Sequence, residues 1–477
     1  MVNVEFFFMR CLLIALISTA LLTFISSCTK IQRDDQADVS SIIEKRLNKI
    51  VQWNKGCHLD EEVNFRIQSL VKQELTADAA VQIALLNNPR IQSIFENIGI
   101  SQADLIEAGL FSNPVFDLLI RYPNKKNFVA DIEYTITASF IDLFLIPVRK
   151  KVAREDLEKV TLIVTNEILD LAFEVERTFY ELQAAQQEFK YAQSIAEISG
   201  IINEISSRQQ AINNINLLEY EQIQSQFLMD GIEISRFKNN IIRIEEKLNQ
   251  LLGFSGIIQW TIANDFPPTD DQSFPLKRLE CIAFKERLDL QAARFEILRL
   301  SRKLGVKQWW VYTNGRLGLA GERDPNGLNT LGPAFTGEIP IFNYGQAARA
   351  RLHAELRQAE DGLAALEIQI LSEVREAHKE LMNNLNIIHD YRSKILPLQK
   401  KILASSEELY NVMGLGIDKL LENKRKELLT NSKYILSLRD YWIARVQLDR
   451  ALGGALQKVF FQEDEWEIPF FQEETVK

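Results

Sequence analysis

Few side chains in this sequence could carry out covalent or metal chemistry. The 477 residues include four His and four Cys. His378 and His389 share a predicted helix at a spacing of eleven, which is not that of a zinc site, and we interpret them as surface or packing residues. No glycine-rich phosphate loop or nucleophile motif is present. We therefore predict no catalytic residue, no metal site and no cofactor, and so a protein that is not an enzyme.

One cysteine is positioned for a covalent modification. Arg10 precedes an apolar run over residues 11–24, and Ile25-Ser26-Ser27-Cys28 follows. So short a run is typical of a secretory signal rather than of a membrane span. The tetrad resembles the lipobox of bacterial lipoproteins, which implies a lipid on Cys28, and Thr29 after it points to the outer membrane. A plain signal peptide with an incidental cysteine is the alternative.

Two features near the amino terminus leave alternatives open. No basic residue precedes Met9, so translation could start at Met1 or at Met9. Once Cys11 has left with the signal, Cys57 and Cys281 could form one disulfide, although two free thiols are favoured. The charge balance is clearer. With 55 Lys+Arg against 65 Asp+Glu, the formal charge is -10, which argues against a nucleic-acid partner.

The secondary-structure elements that organise the chain include a predicted strand. In it, apolar and polar residues alternate from Ala130 to Phe140. A two-residue period predicts an extended chain with one apolar face and one polar face. With a strand over residues 115–122 it forms a hairpin, and we predict that the apolar face contacts lipid, a soluble sheet being the alternative. The predicted lipid-facing residues are Ile132, Tyr134, Ile136 and Phe140.

Very long helices flank this hairpin. Pro147 is predicted to end the hairpin, and a helix of roughly sixty residues, about 90 Å long, follows from Val148. After a turn over residues 212–216, a second long helix is predicted over Leu217–Leu252. Ordinary domains use helices of three or four turns, so these lengths favour an extended architecture.

The second half of the chain repeats this order. Leu182 matches Leu381 at a shift of 199 residues, and Gly253 matches Gly453 at a shift of 200. The Leu-Leu-Glu triplet at 217–219 matches 420–422 at a shift of 203, which we interpret as a register slip of the kind seen in coiled coils. The repeat predicts a helix over 288–306, strands over 309–319 and 331–341, and a turn over 321–327.

Two further features of the second half follow from local composition. Trp309, Trp310 and Tyr312 could form an aromatic girdle at a membrane interface or serve as packing anchors. The helix after Gly345 carries the apolar seam of a coiled coil, and Pro397 is predicted to bend it.

Four strands per chain cannot close a membrane barrel, because open edges in lipid leave backbone groups unsatisfied. Subunits must therefore share one barrel in a cyclic oligomer, and the long helices would continue it as a sheath. The predicted fold class is mainly α with β hairpins: a long coiled-coil α-barrel joined to a shared transmembrane β-barrel, built by internal duplication.

Here the chain resembles the TolC-like outer-membrane efflux channels of the lipoprotein type. The resemblance covers nearly all of the mature chain, and its motifs lie at residues 75–81, 84–89, 108–114, 251–253 and 339–345. It implies a homotrimer with a twelve-stranded barrel in outer-membrane lipid. It also implies a periplasmic adaptor protein and an inner-membrane pump, expected to be proton-driven, as partners.

The resemblance also implies a periplasmic tip at the helix turns over 211–218 and 414–421. In the family a Gly opens each turn, and acidic residues follow six and about nine positions later. Here Ala211 replaces the first Gly, and neither acidic position is acidic. The predicted tip and adaptor contacts are Ala211, Leu217, Leu218, Gly414, Leu420 and Leu421. The candidate pore constriction is Asp418, Glu422, Asn423 and Tyr220, with solvated helix ends as the alternative.

We therefore expect a passive outer-membrane duct of a tripartite efflux system, carrying small molecules such as drugs or metal ions. The alternatives are the duct of a type I protein secretion system and a non-conducting, lipid-tethered periplasmic scaffold, although a scaffold has no use for the hairpins. The predicted organisation is a signal peptide over 1–27, a lipid-anchored tether and collar over 28–74, repeats over 75–268 and 269–458, and an acidic aromatic tail over 459–477.

Overall fold

The computed structural model describes residues 35–53, 59–124, 128–256, 259–270, 274–309, 315–339 and 341–456. The predicted signal peptide, Cys28, Cys57, Trp310, Tyr312 and the acidic tail lie outside these residues. Cys281 is exposed. Across the described ranges, no helix combines the length and the apolar composition that crossing a bilayer requires.

Each half of the chain contains short helices, then a β-hairpin, then long helices, in the same order. The first half contains α1 Asp35–Leu47, α2 Leu59–Val71, α3 Ala77–Asn87, α4 Pro89–Glu107, β1 Val115–Arg121, β2 Asp131–Ser139, α5 Asp142–Ala211 and α6 Leu217–Leu252. The second half contains α7 Leu276–Glu286, α8 Leu288–Trp309, β3 Arg316–Arg323, β4 Asn329–Thr336, α9 Gln346–Asp390, a π-helical turn Tyr391–Ile395, α10 Leu396–Asn411 and α11 Ile417–Leu452.

The central helix of the molecule is α5, whose 70 residues span about 105 Å. Its buried first residue, Asp142, accepts a hydrogen bond from the Ser112 backbone N–H at 2.9 Å and pairs with Arg149 at 3.2 Å. The prediction that Pro147 ends the hairpin is therefore wrong. Pro147 lies in the second turn of α5, where its missing N–H removes one backbone bond but does not stop the helix.

The two halves correspond at a constant shift of 200 residues along their lower helices. Both α6 and α11 have 36 residues, and each ends at a left-handed glycine, Gly253 with φ 75° and Gly453 with φ 78°. At the turns before them, Asn213 and Met413 take φ 58° and 60°. Leu217 thus corresponds to Ile417 and not to Leu420, and the register slip predicted at 203 is wrong.

One antiparallel sheet in the order β1-β2-β3-β4 contains all four strands. Its register brings the alternate residues of every strand to the same side. Apart from Arg323 and Asn329 at the end of the sheet away from the long helices, the resulting face is apolar: Phe116, Leu118, Ile120, Ile132, Tyr134, Ile136, Leu317, Leu319, Leu331, Pro333 and Phe335. Among the described strands, β1 pairs only with β2 and β4 only with β3, so both outer edges of the sheet are open.

The second hairpin differs from its prediction in position. Helix α8 continues to Trp309, and the strands run over Arg316–Arg323 and Asn329–Thr336. Gly321 is a strand residue opposite Tyr134, and a Cβ there would lie 2.3 Å from the Tyr134 ring. The predicted turn over 321–327 is therefore wrong at Gly321, where glycine is needed for this close approach between strands. The actual turn contains Gly327 with φ 83°.

The core lies on one side of α5. Helices α1, α3 and α4 and the end of α6 pack there around Phe95, Ile168 and Phe179, while α7, α8, α9 and α11 form a second cluster. From here on the collar means the small helices α1, α2, α3 and α7, a larger set than the collar predicted over residues 28–74. Toward the tip, Pro397 follows the π-helical turn Tyr391–Ile395. The backbone hydrogen bonds of that turn are already shifted from the α-helical pattern, which accommodates the N–H that proline lacks.

Candidate subunit edges, tip and inner wall

Apolar side chains remain uncovered along both lateral edges of the helical part. The lower helices neighbour one another in the order α6, α5, α11, α10. On the outer helix α6, Leu228, Met229 and Ile232 are 59%, 59% and 57% exposed, and Leu398 on α10 is 56% exposed. Large apolar side chains repeated along a helix favour a protein neighbour at each edge. These edges lie below the two open edges of the sheet.

The apolar face of the sheet contains three of the four predicted lipid-facing residues. Tyr134 and Ile136 are exposed there, and Ile132 is half-buried on the same face. Phe140 follows the last residue of β2, is half-buried like Ile132, and packs against Gly315, where a Cβ would lie 2.9 Å from the Phe140 ring. The strand ends before Phe140, because the chain turns there into α5, and the contact of Phe140 with lipid stays a prediction.

The polar face of the sheet carries a cluster of carboxylates around a cation. Asp131, Glu133 and Glu322 each have an oxygen within 4.8 Å of the others. Arg121 pairs with Asp131 at 3.0 Å and with Glu133 at 2.7 Å. The Arg121 guanidinium offsets part of this negative charge, and exposed acidic groups are common without an ion, so the cluster provides no reason to assign a metal there.

The tip turns differ from the predicted alignment of the two halves. Ala211, predicted to replace the first Gly, is the last residue of α5 and corresponds to Asn411. The constant shift puts Asn214 opposite Gly414. Leu217 and Leu218 are 58% and 65% exposed, whereas Leu420 and Leu421 are half-buried. The two leucine pairs therefore occupy different positions on their helices, and their contact with an adaptor stays a prediction.

The predicted constriction residues have different surroundings. Glu422 pairs with Lys426 and with Lys419, each at 3.0 Å, and these two cations hold its pKa below the ordinary value. Asn423 donates to the Ser406 hydroxyl at 2.8 Å. Tyr220 is half-buried and Asp418 is exposed. A ring of Glu422 side chains would add little net negative charge, because each is already neutralised.

An ion pair that no sequence pattern predicts joins the two tip hairpins. The buried carboxylate of Asp230 on α6 accepts from Arg425 on α11 at 3.0 and 3.1 Å, and from the Ser199 hydroxyl on α5 at 2.5 Å. Arg425 lies eight residues into α11, about 12 Å from the tip. The only sequence signal was an acidic residue directly after the apolar run 227–229.

A strap formed by residues 35–53 crosses both halves. Arg46 donates to the Gly453 carbonyl and pairs with Glu286 at 3.1 Å, both in the second half. In the first half, the backbone of Ile50 exchanges two hydrogen bonds with the Gln82 amide, at 3.1 and 2.7 Å. The strap therefore links the two repeats at one level.

Two half-buried carboxyl groups lie near this strap. Burial raises the pKa of Glu176 on α5 to about 8, with smaller contributions from Asp449 and Asp78. Burial also raises the pKa of Asp449 on α11 to about 6, which Arg445 opposes. In the folded protein, both carboxyls therefore take up a proton at a higher pH than an ordinary carboxyl group does.

The face of α5 opposite the collar is polar. A cavity of about 460 Å³ opens there between α5, α9 and α11. Ion pairs line it: Asp170 with Arg450 at 2.6 Å, and Arg287 with Asp289 and Glu373 at 2.6 Å each. Such a surface is suited to contact with water rather than with protein.

Solved structures share this fold, although the sequence is distant from them. The structures include the outer membrane channel CmeC of Campylobacter jejuni, at 13% identity and a TM-score of 0.65, covering 85% of this chain and 90% of that one. The outer membrane protein VceC of Vibrio cholerae has 14% identity and a TM-score of 0.60, with 83% and 97% coverage. The open state of the MtrE outer membrane channel of Neisseria gonorrhoeae has 13% identity and a TM-score of 0.60, with 82% and 89% coverage.

The sequence itself matches no protein-family model and no curated protein. At identities this low, the structural likeness concerns the fold. The chain has the fold of the outer-membrane efflux channels, and the fold class predicted from its sequence is confirmed.

Proposed function

We propose that this protein is the subunit of a passive outer-membrane duct that works as a homotrimer. The observation that carries the proposal is the open four-stranded sheet, which has one apolar face, one polar face and two unpaired edges. In lipid, each unpaired backbone group would cost several kcal/mol, so the edges of one subunit must pair with those of its neighbours. Three copies give a closed barrel of twelve strands, with the apolar face toward lipid.

The arrangement of the helices also supports a closed ring of three subunits. Four helices lie side by side at each level, α4, α5, α8 and α9 above and α6, α5, α11 and α10 below. Three subunits would give a ring of twelve helices about 10 Å apart, roughly 38 Å across between axes. Three collars inside that ring would block it, so the collar lies outside. The polar face with Asp170 and Arg450 then lines the duct.

The partners and the cargo follow from the fold by analogy. We infer an outer-membrane location, a lipid on Cys28, a periplasmic adaptor at the tip and an inner-membrane pump, expected to be proton-driven, that supplies small molecules. The exposed apolar side chains of the tip support a protein contact there, since Ile212 is 75% exposed and Met413 is 95% exposed. The duct itself is not expected to catalyse any reaction.

Single-channel recording in planar bilayers tests this function with a matched pair of variants. The lipidated protein is expected to conduct. Ile136→Lys puts a charge on the apolar face and should prevent insertion, since a lysine at the bilayer midplane costs about 2–4 kcal/mol. Thr135→Lys, one residue away on the polar face, should still insert and conduct.

Arg425→Ala is included in case the tip is closed, because it removes the ion pair between the tip hairpins. Stable oligomers that never conduct, even with this change, would contradict the duct and favour the scaffold. Equal effects of the two lysine variants would contradict the assignment of the faces.

A further inference from the structure

The strands are short for a sheet that crosses a membrane. They have 7, 9, 8 and 8 residues in the order β1 to β4. A tilted strand needs roughly 9–11 residues to cross the hydrocarbon layer. If the sheet spans the membrane, the apolar surface must continue beyond the strand ends onto the segments that follow them.

Such a surface is present where the sheet meets the long helices. Phe111 precedes β1, Phe144 lies in the first turn of α5, and Phe342 lies between β4 and α9; they are 58%, 72% and 90% exposed. We call these residues and their exposed neighbours the aromatic rim: Leu110, Phe111, Leu143, Phe144, Ile341 and Phe342. Aromatic girdles of this kind are typical of the boundary between the apolar layer and water.

Cations follow the rim on α5. Lys150, Lys151 and Arg154 come seven, eight and eleven residues after Leu143, spacings that bring them to its side of the helix. They lie about 10–16 Å further from the sheet. All three are exposed, and within the described ranges none of them forms an ion pair. Arg149 between them is different, because Asp142 holds it at 3.2 Å.

The position of Lys150 is fixed by its stem. A Cβ on Gly109 would lie 3.3 Å from the Lys150 Cδ and Cε atoms, so the lysine stem lies against Gly109, next to Leu110 and Phe111. A related arrangement occurs at the start of α9, where the Arg349 guanidinium lies over the Tyr344 ring at 5.9 Å. In both halves a cation therefore lies beside an aromatic segment at the base of the sheet.

We propose that Lys150, Lys151 and Arg154 bind the phosphate groups of anionic phospholipids in the leaflet that faces the helices, with the aromatic rim at the acyl-chain boundary. The inference rests on the proposed function, because it requires the sheet to span the membrane. Charge complementarity supports it, since these cations cluster in a chain whose net charge is -10. The adjoining apolar rim selects a phospholipid over a soluble phosphate, which has no apolar part to cover it.

The effect should be measurable as lipid preference. A basic residue near an anionic membrane surface strengthens association by about fivefold. The full-length lipidated protein is reconstituted in phosphatidylcholine vesicles that contain spin-labelled phosphatidylglycerol or spin-labelled phosphatidylcholine. We expect the protein-associated fraction to favour phosphatidylglycerol by about fivefold or more at low salt, and less at high salt.

Two sets of variants separate this role from others. The triple change Lys150→Gln, Lys151→Gln and Arg154→Gln should bring the preference close to one. The control Lys400→Gln with Lys401→Gln removes exposed charges from α10, far below the sheet, and should leave the preference unchanged.

Each remaining outcome overturns a specific statement. A parent protein without the preference, or a triple variant that keeps it, overturns the lipid site while insertion and conductance in phosphatidylcholine still support the duct. If the triple variant loses thermal stability in detergent but keeps its lipid preference, Lys150 stabilises the carboxyl end of α4 and does not bind lipid. A parent protein that inserts into neither type of vesicle overturns the proposed function, and the lipid site with it.

Discussion

The molecule has two elbows, one at the junction of α3 with α4 and one at the junction of α7 with α8. The end of a long helix packs against each elbow, and different side chains donate hydrogen bonds to the backbone carbonyls at those two helix ends. In the first half, α6 ends against the elbow between α3 and α4, where the Asn88 amide donates to the Leu251 carbonyl at 2.7 Å. In the second half, α11 ends against the elbow between α7 and α8, where Arg287 corresponds to Asn88 and donates to the Ala451 carbonyl at 3.4 Å.

The two halves share the backbone positions that need hydrogen-bond donors, but not the donor side chains. Helix ends leave carbonyls without partners, and the shared backbone determines where donors are needed. It does not determine which donor is used. The first elbow uses neutral amides in tight contact, whereas the second uses a guanidinium held by Asp289 and Glu373, and the strap adds Arg46 there.

The largest expected difference concerns the two left-handed glycines. A Cβ on Gly253 would lie 2.6 Å from the Asn87 carbonyl oxygen, so Gly253→Ala should destabilise the protein by about 3 kcal/mol through strain and overlap. At Gly453 the nearest atoms are 3.2 Å away, a close contact but not an overlap, and Gly453→Ala should lose about 2 kcal/mol, mainly from the backbone conformation. Thermal unfolding in detergent, followed by circular dichroism, measures both. A larger loss at Gly453 would contradict the contrast between the tighter first elbow and the less tight second one.

The donors themselves should differ in their response to salt. Arg287→Gln leaves Asp289 and Glu373 without their cation and should cost about 2–3 kcal/mol, limited because their side chains are 27% and 36% exposed. Asn88→Ala removes one carbonyl donor and a helix cap, at about 2 kcal/mol. Added salt should reduce the first loss and leave the second unchanged. Identical salt dependence would remove the chemical distinction between the elbows.

Between the elbows, Glu176 should make stability depend on pH. Because its pKa is raised to about 8 from 4.5, the folded state binds a proton that the unfolded chain has released. The free energy of unfolding should therefore rise as pH falls from above 8 toward 4.5. Glu176→Gln should remove this slope and be more stable than the parent above pH 8, by ~1 kcal/mol or more.

Glu174→Gln, on the opposite side of α5, is the control for this titration. Urea unfolding at a series of pH values provides the measurement. A Glu176→Gln curve that runs parallel to that of the parent would show that the carboxyl group does not titrate between the elbows as described.

The smallest effect is expected at the tips, where the halves also differ. The Asn216 side chain caps α6 by accepting from the Glu219 N–H at 2.8 Å, whereas the corresponding Gly416 has no side chain to cap α11. Asn216→Ala should lower local stability by about 1 kcal/mol. Gly416→Asn should raise it by a few tenths, because the only close atom to a new Cβ belongs to the exposed Asp418 side chain, which can move away. Amide hydrogen exchange in the first turn of each helix reports these changes. Unchanged protection in both variants would mean that the caps do not govern the tips.

Local patterns predicted much of this fold from the sequence. The bounds of α6, Leu217–Leu252, agree with the prediction because an apolar period and a terminal glycine are both local signals. The alternation over residues 130–140 likewise gave the first hairpin. The sequence motifs and the two repeats led to the TolC-like fold that the structure has. The repeat boundaries, the lipid on Cys28 and the roles of the tip residues stay predictions.

The errors have a common physical origin in long-range geometry. Matching Leu-Leu-Glu by identity gave a shift of 203, but the left-handed residues Asn213 and Met413 fix the turns 200 residues apart. Local sequence places Gly321 in a turn, because its partner Tyr134 lies almost two hundred residues away in the chain. The pair of Asp230 and Arg425 was missed for the same reason, since no local pattern connects two helices from different repeats.

The most direct test of the account is a cross-link between β1 of one subunit and β4 of the next. Leu119→Cys on β1 is combined in turn with Thr330→Cys, Gly332→Cys and Ala334→Cys on β4, with Cys57 and Cys281 replaced by Ser and Cys28 kept for the lipid. Paired strands bring opposite Cα atoms within about 5.5 Å, which a disulfide can join. The shared barrel predicts that at least one combination gives a covalent product that ends at three subunits on a denaturing gel. Stable oligomers with no cross-link between subunits in any combination, or a ladder that continues beyond three, would contradict it.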